Sequence, residues 1–185
     1  MVITLHLTAL SDIVLVQKSW GCPEVTQACA ERRARVLSRI RDVRDHCERT
    51  MLHLACSRAC SLGRYPVTKF PNERVVSILI RSGGDPGARD KEGKTPLHLA
   101  AETVDAVHPA ALDIVKLLLD SGSHIDCVDG SGLTAIDVLG PEMALKIDPV
   151  RRQTLQCLCA RVIKKHRLKY KGLTPFCVSD FVDHH

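Results

Sequence analysis

Aromatic side chains are scarce: they make up 3% of the 185 residues, as one Trp, two Tyr and three Phe. With so few large rings, the core has to be built from Leu, Val, Ile and Ala, a profile that favours helices packed through small residues. Neither sign of charge dominates. The 26 Lys and Arg set against 21 Asp and Glu leave +5, too mild a surplus to indicate nucleic acid by itself. A run of about 18 apolar residues is also missing, so no membrane span is expected. The opening MVITLHLTAL has no cation ahead of it and no evident cleavage site, so no secretory leader is expected either. Nine cysteines are an odd number, and no C-x-x-C pair occurs among them. That usage argues against a disulfide framework and against a zinc site, and for reduced thiols in the cytoplasm or nucleus.

What is present is a repeat. Asp90 to Glu102 reads DKEGKTPLHLAAE, and Asp113 to Asp126 reads DIVKLLLDSGSHID. Together they give D-x-x-G-x-T-P-L-H-L-A-A followed by V-x-x-L-L-x-x-G, the signature of an ankyrin repeat. The same frame recurs upstream, where Asp45, Thr50, Leu52, His53, Leu54 and Ala55 hold the corresponding places, with Val76, Leu79, Ile80 and Gly83 as the second-helix pattern. Downstream, Asp129, Gly132, Thr134 and Ile136 begin it again, with Ala135 and Asp137 where Pro and His stood. The Thr-to-Thr steps are 45 and 39 residues (50 to 95, 95 to 134), longer than the usual repeat of about 33. The excess has to loop out.

Each signature residue has a physical reason to be there. Thr95 suits a helix cap, and Pro96 suits the first turn, where a missing N–H costs nothing. Ala100 and Ala101 keep helix faces small enough for neighbouring repeats to stack closely. Val115, Leu118 and Leu119 fall at i, i+3 and i+4 and predict an inward stripe. Gly83 and Gly122 predict helix ends in the left-handed conformation. His53 and Cys56 have H-x-x-C spacing, but the repeat aligns them with His98 and Ala101, so they are read as a structural His and a core Cys. No metal, cofactor or catalytic residue is expected.

Outside the repeats, residues 1–30 form a poorly defined lead-in. From Glu31, Val36, Leu37, Ile40 and Val43 define the apolar face of an amphipathic helix, with arginines around the rest. Residues 31–147 are therefore read as ankyrin repeats behind an N-terminal amphipathic helix. The insertion Ser61 to Glu73 carries Tyr65 and Phe70, either for a partner or packed back on the array. In the C-terminal segment 148–185, Asp148 and Pro149 read as cap and first helical residue of a helix spanning 149–167. Leu155, Leu158, Cys159, Val162 and Ile163 give it an apolar stripe. Thr174 and Pro175 form another cap-and-first-turn pair, with Val178, Phe181 and Val182 on one face. An array end with two apolar stripes demands a cover.

Thr154-Leu155, Cys159 and Ile163 match the spacing of the Elongin C-binding box, and this segment resembles that box. Pro175, Val178, Phe181 and Val182 resemble the cullin box that follows it in von Hippel-Lindau-type receptors, with Thr174 where an aliphatic residue usually precedes the proline. Ankyrin repeats followed by TLQCLCAR, YKG and a terminal FVDHH resemble the feminisation (Fem-one) family, substrate receptors of cullin-2 RING ubiquitin ligases. GRYPVTKFPNERVVSILI resembles the repeat insertion of the same family. The expected fold is an all-α ankyrin solenoid of about two to three repeats with long insertions, plus a C-terminal helical VHL/SOCS-type box.

The resemblance implies recruitment without catalysis. Thr154, Leu155, Leu158, Cys159, Val162 and Ile163 would meet Elongin C, itself paired with Elongin B. Pro175, Val178, Phe181 and Val182 would meet cullin-2 with its RING subunit, and the repeats would hold an unknown protein substrate. The family recognises substrate tails with an N-terminal ankyrin array that these residues do not supply, so no substrate pocket is carried over. Three readings stay beside this one. The chain could be a plain ankyrin module whose last helices cap it internally, a shortened paralogue that occupies adaptor without delivering substrate, or a nucleic-acid binder using Lys164 to Lys171 and the arginine-rich helix read from Glu31.

Overall fold

The computed structural model describes residues 43–57, 71–104, 110–170 and 181–183. Three turns of one design punctuate it. Asp45, Asp90 and Asp129 each turn a carboxylate oxygen back over the chain to accept from the backbone N–H groups two and four residues on. The partners are Cys47 and Arg49 at 2.8 and 2.9 Å, Glu92 and Lys94 at 2.9 and 2.9 Å, and Ser131 and Leu133 at 2.8 and 3.0 Å. The fourth residue of each turn has to be left-handed, with φ of 74° at Gly93 and 81° at Gly132. The first turn places Glu48 there at 61°.

Behind each turn comes a helical hairpin. The first pairs α1, Met51–Cys56, with α2, Glu73–Arg81. The second pairs α3, Pro96–Thr103, with α4, Ala110–Asp120, and the third α5, Ala135–Leu139, with α6, Pro141–Leu145. First helices stack on one another in the order α1, α3, α5, and α2 stacks on α4. This is the expected ankyrin solenoid. The excess residues fall between the two helices of the first and second repeats, and residues 58–70 of that excess, with Tyr65 and Phe70, lie outside the described residues. So do the lead-in 1–30 and nearly all of the amphipathic helix read from Glu31.

Stacking is written into the polar groups as well as the core. His98 Nδ1 lies 3.2 Å from the Thr95 backbone N, which can only donate, so Nδ1 accepts and the ring proton sits on Nε2. That Nε2 then donates to the Leu133 carbonyl of the next repeat at 3.2 Å. His53 repeats the arrangement one unit earlier, accepting from Thr50 N at 3.1 Å and donating to the Lys94 carbonyl at 3.1 Å. In the third unit Asp137 accepts from Thr134 N at 2.8 Å but has no proton to pass on. Successive turns are joined too, Lys91 N to Cys47 O at 3.0 Å and Gly130 N to Glu92 O at 2.7 Å. A Cβ on Gly130 would sit 2.7 Å from that carbonyl, so only glycine allows the approach.

The apolar core runs through all three hairpins. Leu52, Val75, Val76, Leu97, Ile114, Val115 and Leu118 are buried, as are the small residues Ala55, Cys56, Ala100 and Ala101 that let the hairpins approach. The structural reading of His53 and Cys56 therefore holds: both are fully buried in the repeat interior. Gly83 and Gly122 are left-handed at φ 85° and 95°, as expected.

Beyond the third hairpin the chain departs from expectation. The single helix read over 149–167 is two: α7, Pro149–Arg152, and α8, Leu155–Lys165. Asp148 is left-handed at φ 52° and its side chain caps nothing. Gln153 is extended, and Thr154 starts the helix anew, its hydroxyl accepting from Cys157 N at 3.2 Å. Two start signals six residues apart competed, and each began its own helix.

Candidate functional site: the outward face of the C-terminal helix

Helix α8 is held down by a narrow, small-residue face. Cys157 and Ala160 are buried; small side chains there let the helix lie close to the loop that follows α4. His124 Nδ1 of that loop is 3.2 Å from Cys157 Sγ, and burial pushes the Cys157 thiol pKa up. Arg161 reaches toward buried Asp126 at 3.9 Å, and Arg152 of α7 pairs with Asp120 at the end of α4. These polar contacts hold α7 and α8 against the end of α4 and the loop after it.

The opposite face points to solvent, and it is the one the sequence reading singled out. Leu155 is 76% exposed, and Leu158, Val162 and Cys159 are exposed as well, with Ile163 half-buried. Positions 155, 158, 159 and 162 follow i, i+3, i+4 and i+7, so they line one stripe. Thr154 is exposed and serves as the cap. Among the described residues seven large apolar side chains are exposed, and three of them lie on this one helix. Such clustering marks an interaction surface, since single exposed apolar residues are ordinary but contiguous ones are not.

The residues that resemble a cullin box are placed differently. Pro175 and Val178 lie outside the described residues. Val182 is 2% exposed, and the Phe181 ring meets His124 edge-on at 5.2 Å between centroids. Residues 181–183 are helical and fold back on α8: Lys164 Nζ donates to the Asp183 carbonyl at 2.9 Å, and the Tyr170 hydroxyl bonds the Asp183 carboxylate. These contacts within the chain were not legible in the sequence, because they join side chains far apart along it.

A second concave surface lies between the first two turns, a groove of about 370 Å³ lined by Arg49, Ser57, Asp90, Lys94, Leu99 and Glu102 among others. Lys94 is bridged to Glu102 at 2.8 Å and to Glu92 at 3.1 Å, and its bonds to these acids raise its pKa. The groove is lined by polar and apolar groups alike, and the Lys94 charge is neutralised by its two acids. Among the described residues, no helix is long and apolar enough to cross a membrane.

Repeated turn-and-hairpin units with histidine links between them define an ankyrin-repeat protein, a protein-interaction module. The family model described as "Ankyrin repeats (3 copies)" matches residues 25–129. Relatives narrow the class. The chain is 40% identical over 145 residues to "Protein fem-1 homolog CG6966" of Drosophila melanogaster, covering 77% of this chain and 21% of that protein. It is 44% identical over 137 residues to "Protein fem-1 homolog C" of Homo sapiens, covering 72% and 21%, and 36% identical over 139 residues to "Protein fem-1 homolog A" of Bos taurus, covering 74% and 20%. The chain belongs to the Fem-1 family of ankyrin-repeat proteins. It spans about a fifth of the length of the curated relatives it matches.

Proposed function

We propose that this chain is a non-catalytic substrate-receptor or adaptor subunit of a cullin-2 RING ubiquitin ligase in the cytoplasm or nucleus. Helix α8 lays Leu155 into a pocket on Elongin C, with Leu158, Cys159, Val162 and Ile163 beside it, and Elongin B accompanies its partner. The ankyrin groove faces a protein substrate, and other subunits transfer ubiquitin. The observation that carries this reading is Leu155, a large apolar side chain left 76% exposed on a helix whose other face is already docked. Burying it is worth about 1.5–3 kcal/mol, enough to act as a hot spot in a helix-in-groove contact. Co-expression with the Elongin B and C pair, followed by size-exclusion chromatography, tests the proposal. The chain should co-elute with the pair and Leu155→Ala should not; co-elution unaffected by that change would remove the argument.

The terminal segment supports a second reading of its own. Val182 is buried and Phe181 rests on His124, so this segment can serve as an internal brace for α8 in place of a cullin contact. Phe181→Ala separates the two roles. A brace loses melting temperature, whereas a cullin contact loses cullin-2 while keeping Elongin C and its melting temperature.

A further inference from the structure

Where α8 meets the repeat array, three side chains of metal-binding type converge. A His124 ring nitrogen, an Asp126 carboxylate oxygen and Cys157 Sγ all lie within 4.8 Å of one another, and His124 Nδ1 is 3.2 Å from Cys157 Sγ. Zinc bonds of about 2.0–2.3 Å in a tetrahedron set donors roughly 3.3–3.7 Å apart, so small side-chain adjustments bring these donors to that spacing. The donor set of one imidazole, one carboxylate and one sulfur matches what zinc and related ions accept. Asp126 is 2% and Cys157 1% exposed, so the site is sheltered from bulk water, unlike a surface scatter of acids.

We propose that His124, Asp126 and Cys157 form a site for a zinc-class divalent cation that clamps α8 to the loop that follows α4. On binding, the Cys157 S–H bond breaks, its proton leaves to solvent and the electron pair goes to the metal, so thiolate and carboxylate together neutralise the ion. A water molecule or a fourth donor completes the coordination. Arg161, half-exposed and 3.9 Å from Asp126, is free to turn outward as the ion takes its place. The Thr154 hydroxyl, 3.0 Å from Cys157 Sγ, can donate to the thiolate as an outer-shell partner. The other cluster among the described residues, Asp45, His46 and Cys47, is a different case. Its carboxylate already accepts from two backbone N–H groups and from Arg49.

Spacing hid this site. Cys157 lies 33 residues beyond His124, and no short Cys or His pair announces the site, so the cysteine pattern argued against zinc. The clamp does not depend on the ligase reading, since the geometry is internal to the chain.

Cobalt(II) titrated into the full chain is the test, because thiolate coordination gives an intense near-ultraviolet charge-transfer band. Expected are one ion per chain with that band, its loss in Cys157→Ser with helical circular dichroism unchanged, and a titration shifted to higher cobalt in Asp126→Asn. A missing band in the unaltered chain, or a band that survives Cys157→Ser, overturns the assignment. Should Cys157→Ser fold poorly, X-ray absorption of the zinc-loaded unaltered chain decides. One sulfur with nitrogen and oxygen neighbours supports the site; nitrogen and oxygen alone, or several sulfurs, overturn it.

Discussion

Glu48 holds the left-handed place that Gly93 and Gly132 occupy in the other two turns. A side chain there costs on the order of 1 kcal/mol against glycine, so Glu48→Gly should stabilise the chain by about that much in urea unfolding. His53 and His98 show how one residue type carries two duties, capping a helix through Nδ1 and tying repeats through Nε2. Burial lowers the pKa of both below the ordinary 6.5. The folded state therefore resists the proton that the unfolded chain would take. The sign follows: stability is complete above 6.5 and declines as pH falls below it. Thermal midpoints measured from pH 7.5 to 5 should drop. The double variant His53→Gln with His98→Gln, whose amides can donate near the place of Nε2 and do not titrate, should flatten that drop even though it lowers the starting midpoint. A second decline belongs near the carboxylate range. In Asp45 and Asp129 burial alone would raise the pKa, but backbone N–H donors outweigh it and lower both below 3.8.

At the scale of elements, the repeats were legible because each signature residue does a local job that few residue types can do: the Asp of the turn, the Thr cap, the Gly at the helix end. Asp137 in place of the histidine was legible as a difference, and its consequence, the end of the histidine ladder, became visible only when repeats were stacked. The C-terminal helices were half legible. Periodicity found the stripe of Leu155, Leu158, Cys159 and Val162 correctly, yet it could not say whether a stripe faces inward or outward. Here it faces outward, and the docked face is made by Cys157 and Ala160, too small to register as a pattern. The break before Thr154 was missed because Pro149 looked like a sufficient start. Since Thr154 caps α8, Thr154→Ala should cost about 1 kcal/mol of stability, while Leu155→Ala, on an exposed side chain, should leave the melting temperature within about a degree or two. Differential scanning fluorimetry of the two variants distinguishes a capping residue from a contact residue.

At the scale of the whole molecule, the described residues hold three stacked hairpins, about the number of neighbours a stacked array needs for stability. An appended pair of helices leaves one greasy seam open to water. A partner that binds only the folded chain stabilises it, by about 2.7 kcal/mol at a hundredfold excess over Kd, so adding the Elongin B and C pair should raise the melting temperature. Nothing along the sequence could show that α8 is anchored by His124, Asp126 and Asp183, because those contacts join residues far apart along it. The most direct test of the docking face is calorimetric titration of the Elongin B and C pair into the unaltered chain and into Leu155→Ala at matched stability. The account predicts saturable binding that weakens on the order of tenfold or more, about 1.4 kcal/mol, in the variant; equal affinity for both chains, or no binding to either, would contradict it.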